Sequence, residues 1–265
     1  MLMIEHAAGS DVFWALALTI LAGLSTAIGA AIDYFIKKPR MSYLSFSLGF
    51  SAGVMIYVSF MEMMPSAIAA VGEVAAPIAF FGGMLFIGLI DFIVPEHENP
   101  HYHIKQAPSI AMKKSLMRMG LFMALGIGIH NFPEGLATFA TSLSSIKLGA
   151  VVALAIAIHN IPEGIAVSTP IYYATGSKRK AFLYSSASGL AEPIGAIVGF
   201  LILMPFLSPW LIASLLAFVA GIMVYISLDK ILPAANNYGQ SHILVLGIGL
   251  GMLVMAVSIV IFRIL

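Results

Sequence analysis

The chain has 265 residues, of which 60% are hydrophobic and only 9% charged, where an average soluble domain carries about 25% charged residues. With a mean hydropathy of +1.01, this excludes an ordinary water-soluble globule, and also disorder, which needs a polar, charge-rich composition. Thirteen Lys and Arg against twelve Asp and Glu leave a net +1, so no large basic surface is offered to nucleic acid. There is no cysteine, which removes disulfides, thiolate metal sites and cysteine nucleophiles together.

A membrane-crossing helix needs roughly 20 mostly apolar residues. Eight stretches qualify: 12–35, 42–64, 75–95, 116–143, 147–174, 180–204, 210–233 and 242–264. None alternates apolar and polar residues as a β-barrel strand would. The connections are short apart from a polar one at about 96–115. The expected fold is an all-α polytopic membrane protein of eight transmembrane helices, a single integral domain over 1–265. Residues 1–11 hold Glu5 and Asp11 but no Lys or Arg, so the basic start of a secretory signal is missing and the first span is expected to stay. Lys37, Lys38, Arg40, Lys105, Lys113, Lys114, Arg118, Lys178, Arg179, Lys180 and Lys230 fall on one side of these spans, and only Lys147 and Arg263 on the other. Retained spans concentrate basic residues in the cytoplasm. Both termini are therefore expected outside it, in a cell (inner) membrane.

The chain repeats itself. Phe50 to Ala67 reads FSAGVMIYVSFMEMMPSA, and 168 residues later Phe218 to Ala235 reads FVAGIMVYISLDKILPAA. Gly23 to Ala30 (GLSTAIGA) recurs as Gly189 to Ala196 (GLAEPIGA). Spans one to three thus resemble spans six to eight, and in the assigned topology the two copies run in opposite senses. Inverted repeats around a central pair of helices are characteristic of secondary transporters, whose site lies near the midplane.

The central pair carries the chemistry. Span four holds His130-Asn131-Phe132-Pro133-Glu134-Gly135 and span five His159-Asn160-Ile161-Pro162-Glu163-Gly164. Residues i and i+4 share a helix face, so each His is presented with its Glu. The i, i+3 pairs Asn131 with Glu134 and Asn160 with Glu163 flank that face. Each Pro lacks an N–H and frees the carbonyl four residues back, a break tolerated at membrane depth only where other groups or cavity water satisfy it. The Gly after each Glu allows another backbone to come close.

An ionised residue at that depth costs about 2.5 to 3.5 kcal/mol even on the lenient insertion scale. Glu134, Glu163 and, in span six, Glu192 need a counter-charge, and no Lys or Arg lies in the central part of these spans. Protons, protonated histidines or a bound metal ion can supply it. Neutral imidazole, carboxylate and amide oxygen together suit a borderline divalent ion such as zinc, iron(II), manganese or cobalt.

The paired HNFPEG and HNIPEG motifs, the MEMMP end of span two and GLAEPIGA in span six resemble the ZIP family of metal-ion transporters, its bacterial members above all. The likeness covers nearly the whole chain. It implies an eight-helix fold with inverted three-helix repeats, import of divalent metal (zinc, also iron(II), manganese, cobalt or cadmium) and no enzymatic activity or catalytic cofactor. A two-metal centre is also implied. Its first site falls on Met55, His130, Glu134, His159 and Glu163, and its second on Asn131, Glu134, Asn160, Glu163 and Glu192. A homodimer is a further implication of the resemblance.

Read on their own, several residues leave two readings open. Met55 can be a thioether ligand or core packing, since Met fills apolar gaps and Met223 stands at the matching repeat position. Glu192 is matched by Thr26, so its charge is not scaffold symmetry. Glu62, near the outer end of span two, reads as an entrance residue or a solvated helix end. Asp91 and Asp229, near inner ends, read as exit residues or the same. His97, His101 and His103 in the polar loop form a transient metal acceptor or a solvated tract. The rival functions are an intramembrane zinc hydrolase, against which the HExxH motif is missing, and a proton or sodium antiporter, against which the His and Asn residues favour a softer ion.

Overall fold

The structure, a computed structural model, describes residues 9–32, 35, 40–93, 110–203, 208–238 and 241–264, and all regular structure among them is helical. In chain order the helices are α1 (Gly9–Ile32), α2 (Met41–Val58), α3 (Met64–Ile93), α4 (Ile110–Ser144), α5 (Ile146–Thr175), α6 (Lys178–Gly189), α7 (Ala191–Val198), α8 (Pro209–Ile226), α9 (Leu232–Tyr238) and α10 (Ser241–Ile264). Single π turns at Ser59–Met63, Gly199–Leu203 and Ser227–Ile231 follow α2, α7 and α8.

The helix ends follow local chemistry. Ser177 and Ser208 sit in extended conformation ahead of α6 and α8, and each side chain accepts from a backbone N–H, of Lys180 at 3.3 Å and of Leu211 at 3.1 Å. These are N-caps, the second completed by Pro209, whose missing N–H needs no partner at a helix start. Gly72 (φ 90°) breaks the run from α2 through α3, and Gly176 (φ 68°) turns α5 into α6. Both need the left-handed backbone that only glycine adopts freely.

Six segments among the described residues are long and apolar enough to cross a membrane: Asp11–Ile32, Met41–Phe92, Gly149–Thr175, Lys178–Ile202, Pro209–Asn237 and Ser241–Ile261. The expected spans 42–64 and 75–95 lie in one of these, on either side of the Gly72 break. The expected span 116–143 lies in α4, whose first turns carry Lys113, Lys114 and Arg118 and which falls short of the same apolarity. Large apolar side chains such as Leu21, Ile78, Leu85, Leu183, Val245 and Leu253 stand on the outside, the pattern of a surface solvated by lipid. The molecule is a multi-pass membrane protein.

Packing is dominated by four contacts, α3 on α8, α1 on α5, α2 on α10, and α4 on α5. Glycines set the closest of them. A Cβ on Gly53 would collide with the carbonyl of Ile248, and one on Gly221 with the carbonyl of Phe80. Residues 221 and 248 follow 53 and 80 by 168 positions, the offset of the sequence repeat. The other repeat segment behaves alike: Gly23 and Gly189 each face the other's carbonyl, while Gly29 meets Ile161 and Gly195 meets Phe132. Leu44, Leu48, Met55, Met123, Ile171, Ile222 and Met223 are fully buried in the largest apolar cluster. Across helices, Ser45 Oγ donates to the Ala235 carbonyl at 2.8 Å and Ser51 Oγ to that of Pro162 at 2.7 Å.

Candidate metal centre

Only Ser145 separates α4 from α5, with Ser145 N–H on Thr141 and Gly149 N–H on Ser145 closing the turn. The pair is an antiparallel hairpin, and both helices run straight through their motif prolines, Pro133 and Pro162. This lays His130, Asn131 and Glu134 beside His159, Asn160 and Glu163. With Glu192 of α7 they make seven polar residues of which none is more than 5% exposed.

Glycine fixes the third element. A Cβ on Gly135 would overlap the Glu192 carbonyl, and one on Gly164 the carbonyl of Thr26, the repeat mate of Glu192. The glycine that ends each motif therefore does what its position in the sequence led us to expect. It brings α7 against α4, and α1 against α5, at backbone contact.

The hairpin crosses its ligands. His130 Nε2 lies 3.2 Å from Glu163 Oε1 on the other helix and 3.3 Å from Glu134 Oε2 on its own. His159 Nε2 lies 3.2 and 3.4 Å from the two oxygens of Glu134. The contact of His159 with Glu134 has hydrogen-bond geometry; those of His130 do not, and both its ring nitrogens and both oxygens of Glu163 are without a hydrogen-bond partner among the described residues. Ligand atoms of His130, His159 and Glu163 lie within 4.8 Å of one another. Buried acceptors gathered this closely without donors between them suit a cation.

Beside this cluster, the side-chain amides of Asn131 and Asn160 have their donors engaged. Asn131 Nδ2 donates to the Ser188 carbonyl at 3.4 Å, and Asn160 Nδ2 to the Ala22 carbonyl at 3.2 Å and to Glu192 Oε1. Their Oδ1 atoms and Glu192 Oε2 are left unpartnered among the described residues. The chemistry of this donor set, two amide oxygens and carboxylates, is harder than that of the histidine cluster.

The remaining expected residues fall in several places. Met55 is buried in the main apolar cluster with Met223. Glu62 lines a cavity of about 340 Å³ whose walls also include Glu134 and His159. Asp91 and Asp229 are held by Lys230, at 2.7 and 3.0 Å from its Nζ. His97, His101 and His103 lie outside the described residues. Sequence reasoning used Lys230 only as a marker of sidedness and missed this triad; an aspartate inside the apolar run 75–95 was the signal that a partner had to exist.

Fold and site together define an α-helical, multi-pass membrane protein with a buried histidine–carboxylate centre on two antiparallel motif helices. The ZIP Zinc transporter family matches residues 94–259. Proteins described as Zinc transporter ZupT are similar over almost the full length: 55% identical in Chlorobium limicola over 94% of this chain and 98% of that one, and 53% in Streptococcus mutans over the same shares. The one from Nitratidesulfovibrio vulgaris is 50% identical over 95% of this chain and 98% of its own. The chain belongs to the ZIP family.

Proposed function

We propose that this protein is a secondary transporter that carries divalent transition-metal ions into the cytoplasm, zinc first, with iron(II), manganese, cobalt and cadmium as chemically suited alternatives. The observation that carries the reading is the crossing of His130 with Glu163 and of His159 with Glu134 in the buried hairpin. Two imidazoles and two carboxylates make a first position for the metal, with Met55 as a thioether neighbour. Asn131, Asn160 and Glu192 make a second, and Glu134 and Glu163 bridge the two. The metal is cargo here, and the lack of thiolates keeps affinity modest enough for release.

Transport follows an alternating-access course. The ion enters along the cavity that holds Glu62, is dehydrated against the centre, and leaves past Asp91 and Asp229 on the other side. Eight spans complete the path, two of them within Met41–Phe92 and one in α4. The matched glycine contacts of α2 on α10 and of α8 on α3 support an inverted repeat whose halves are related about the α4–α5 hairpin. The basic ends of α2, α4 and α6 face the cytoplasm, which leaves both termini outside it. The similar proteins are described as zinc transporters, which favours carriage over the hydrolase reading of the same ligands.

Purified protein in vesicles loaded with a zinc-sensitive dye tests the proposal. External zinc raises the signal with the intact chain and fails to do so with Glu163→Ala or His130→Ala. Uptake that survives both substitutions unchanged refutes it.

A further inference from the structure

Outside the metal centre, Lys230 is held by two carboxylates. It is 8% exposed in the π turn after α8. Its Nζ lies 2.7 Å from Asp91 Oδ2 of α3, 3.0 Å from Asp229 Oδ2, and 5.5 Å from the centre of the Phe122 ring of α4. Tyr225 Oη donates to Asp91 at 3.4 Å. One ammonium therefore ties α3, α8 and the first half of the motif helix α4 together.

Position gives the triad its meaning. Lys230 is the repeat mate of Glu62, 168 residues on. Ser45, at the start of α2, bonds Ala235 just beyond the Lys230 turn, while Glu62 lies about 25 Å from Ser45 at 1.5 Å per residue, toward the other end of α2. At the Glu62 end a cavity reaches His159 and Glu134; at the Lys230 end the matching residue is held in ion pairs. A lysine is a mobile point charge on a flexible stem, and the two aspartates it holds exceed its charge by one. A divalent ion neutralises that pair fully.

We propose that Lys230 is a latch. Its ammonium, a tethered stand-in for the cargo cation, holds Asp91 to Asp229 and shuts the path on the side of the metal centre away from the Glu62 cavity. The assignment rests on the transport reading, but its test does not need zinc to move. The chain has no cysteine, so Ser227→Cys, at a position 0% exposed one turn before Lys230, introduces a single thiol. In vesicles, a membrane-impermeant maleimide added from the Lys230 side labels this variant slowly.

Adding Lys230→Met raises the labelling rate on the order of tenfold. Lys230→Arg keeps it slow, and the exchange Asp91→Lys with Lys230→Asp restores protection, which general loosening would not. Should Lys230→Met not fold, Asp91→Asn breaks the same bond from α3 and gives the same rise. Protection unchanged in both neutral variants overturns the latch. Zinc uptake measured on the same vesicles reports separately on transport, so faster labelling without any uptake sinks only the functional reading.

Discussion

His130 Nε2 and Glu163 Oε1 stand 3.2 Å apart across the α4–α5 hairpin without the alignment of a hydrogen bond. Two acceptors brought this close in a water-poor interior repel unless a proton or a cation lies between them. The same pair of helices also brings His159 to Glu134 across the hairpin, there with hydrogen-bond geometry. If a divalent ion serves this purpose, removing one negative ligand lowers affinity more than losing an outer-shell contact does, which already costs 10–100-fold. Glu163→Gln keeps shape and size, and is expected to weaken zinc binding by at least roughly 100-fold and to abolish uptake, measured by calorimetry on detergent-solubilised protein and by dye-loaded vesicles.

Proton competition sets the response to pH. Metal binds the neutral imidazole and the ionised carboxylate, so every proton bound to these groups must leave before the ion is held. Apparent zinc affinity therefore falls as pH falls. Uptake at fixed free zinc should rise from pH 5.5 to 7.5 on that account, and zinc binding at pH 7 should release protons into a weakly buffered solution. Binding that is flat across this range, with no proton release, contradicts ligation by His130 and His159.

Much of this arrangement was legible beforehand because its causes are local. Apolar length gave the helices, and their ends came out within a few residues of 12–35, 147–174 and 242–264. The i, i+4 spacing of His130 with Glu134, and of His159 with Glu163, placed each pair on one face. What could not be read is how the hairpin crosses the pairs, since the contacts of His130 with Glu163 and of His159 with Glu134 depend on the axial register of two helices. Nor could Lys230 be joined to Asp91, because their contact spans 139 positions and needs α3 to lie on α8. The π turns at Ser59–Met63 and Ser227–Ile231 also went unseen. They widen the helix by one residue within segments whose apolar pattern gives no sign of it.

Gly135 is the point where backbone packing and ligand placement meet. A Cβ there runs into the Glu192 backbone, which a side-chain rotation cannot relieve, whereas one on Gly128, seven residues earlier in the same helix, meets nothing within 4 Å. Gly135→Ala should destabilise the protein by about 1–3 kcal/mol through overpacking and push Glu192 from the centre, lowering zinc uptake. Gly128→Ala should be neutral or stabilising by up to about 1 kcal/mol, the helix-propensity difference. Thermal unfolding in detergent separates the two. Equal behaviour of both variants would mean that α7 is not held on α4 by this contact.

Glu192 offers the sharpest test of a two-ion centre. It is fully buried, it receives one hydrogen bond from Asn160, and its other oxygen has no partner among the described residues. Thr26 takes its place in the matching repeat segment, so only one side of the hairpin carries the acid. If Asn131, Asn160 and Glu192 complete a second position, Glu192→Gln keeps the contact with Asn160 while removing the charge that balances a second dication. Metal analysis after equilibrium dialysis against zinc should then fall from two ions per chain toward one, with the histidine position retained and the tighter of two binding phases unchanged. Two ions bound equally well by the Gln variant would place the second position elsewhere.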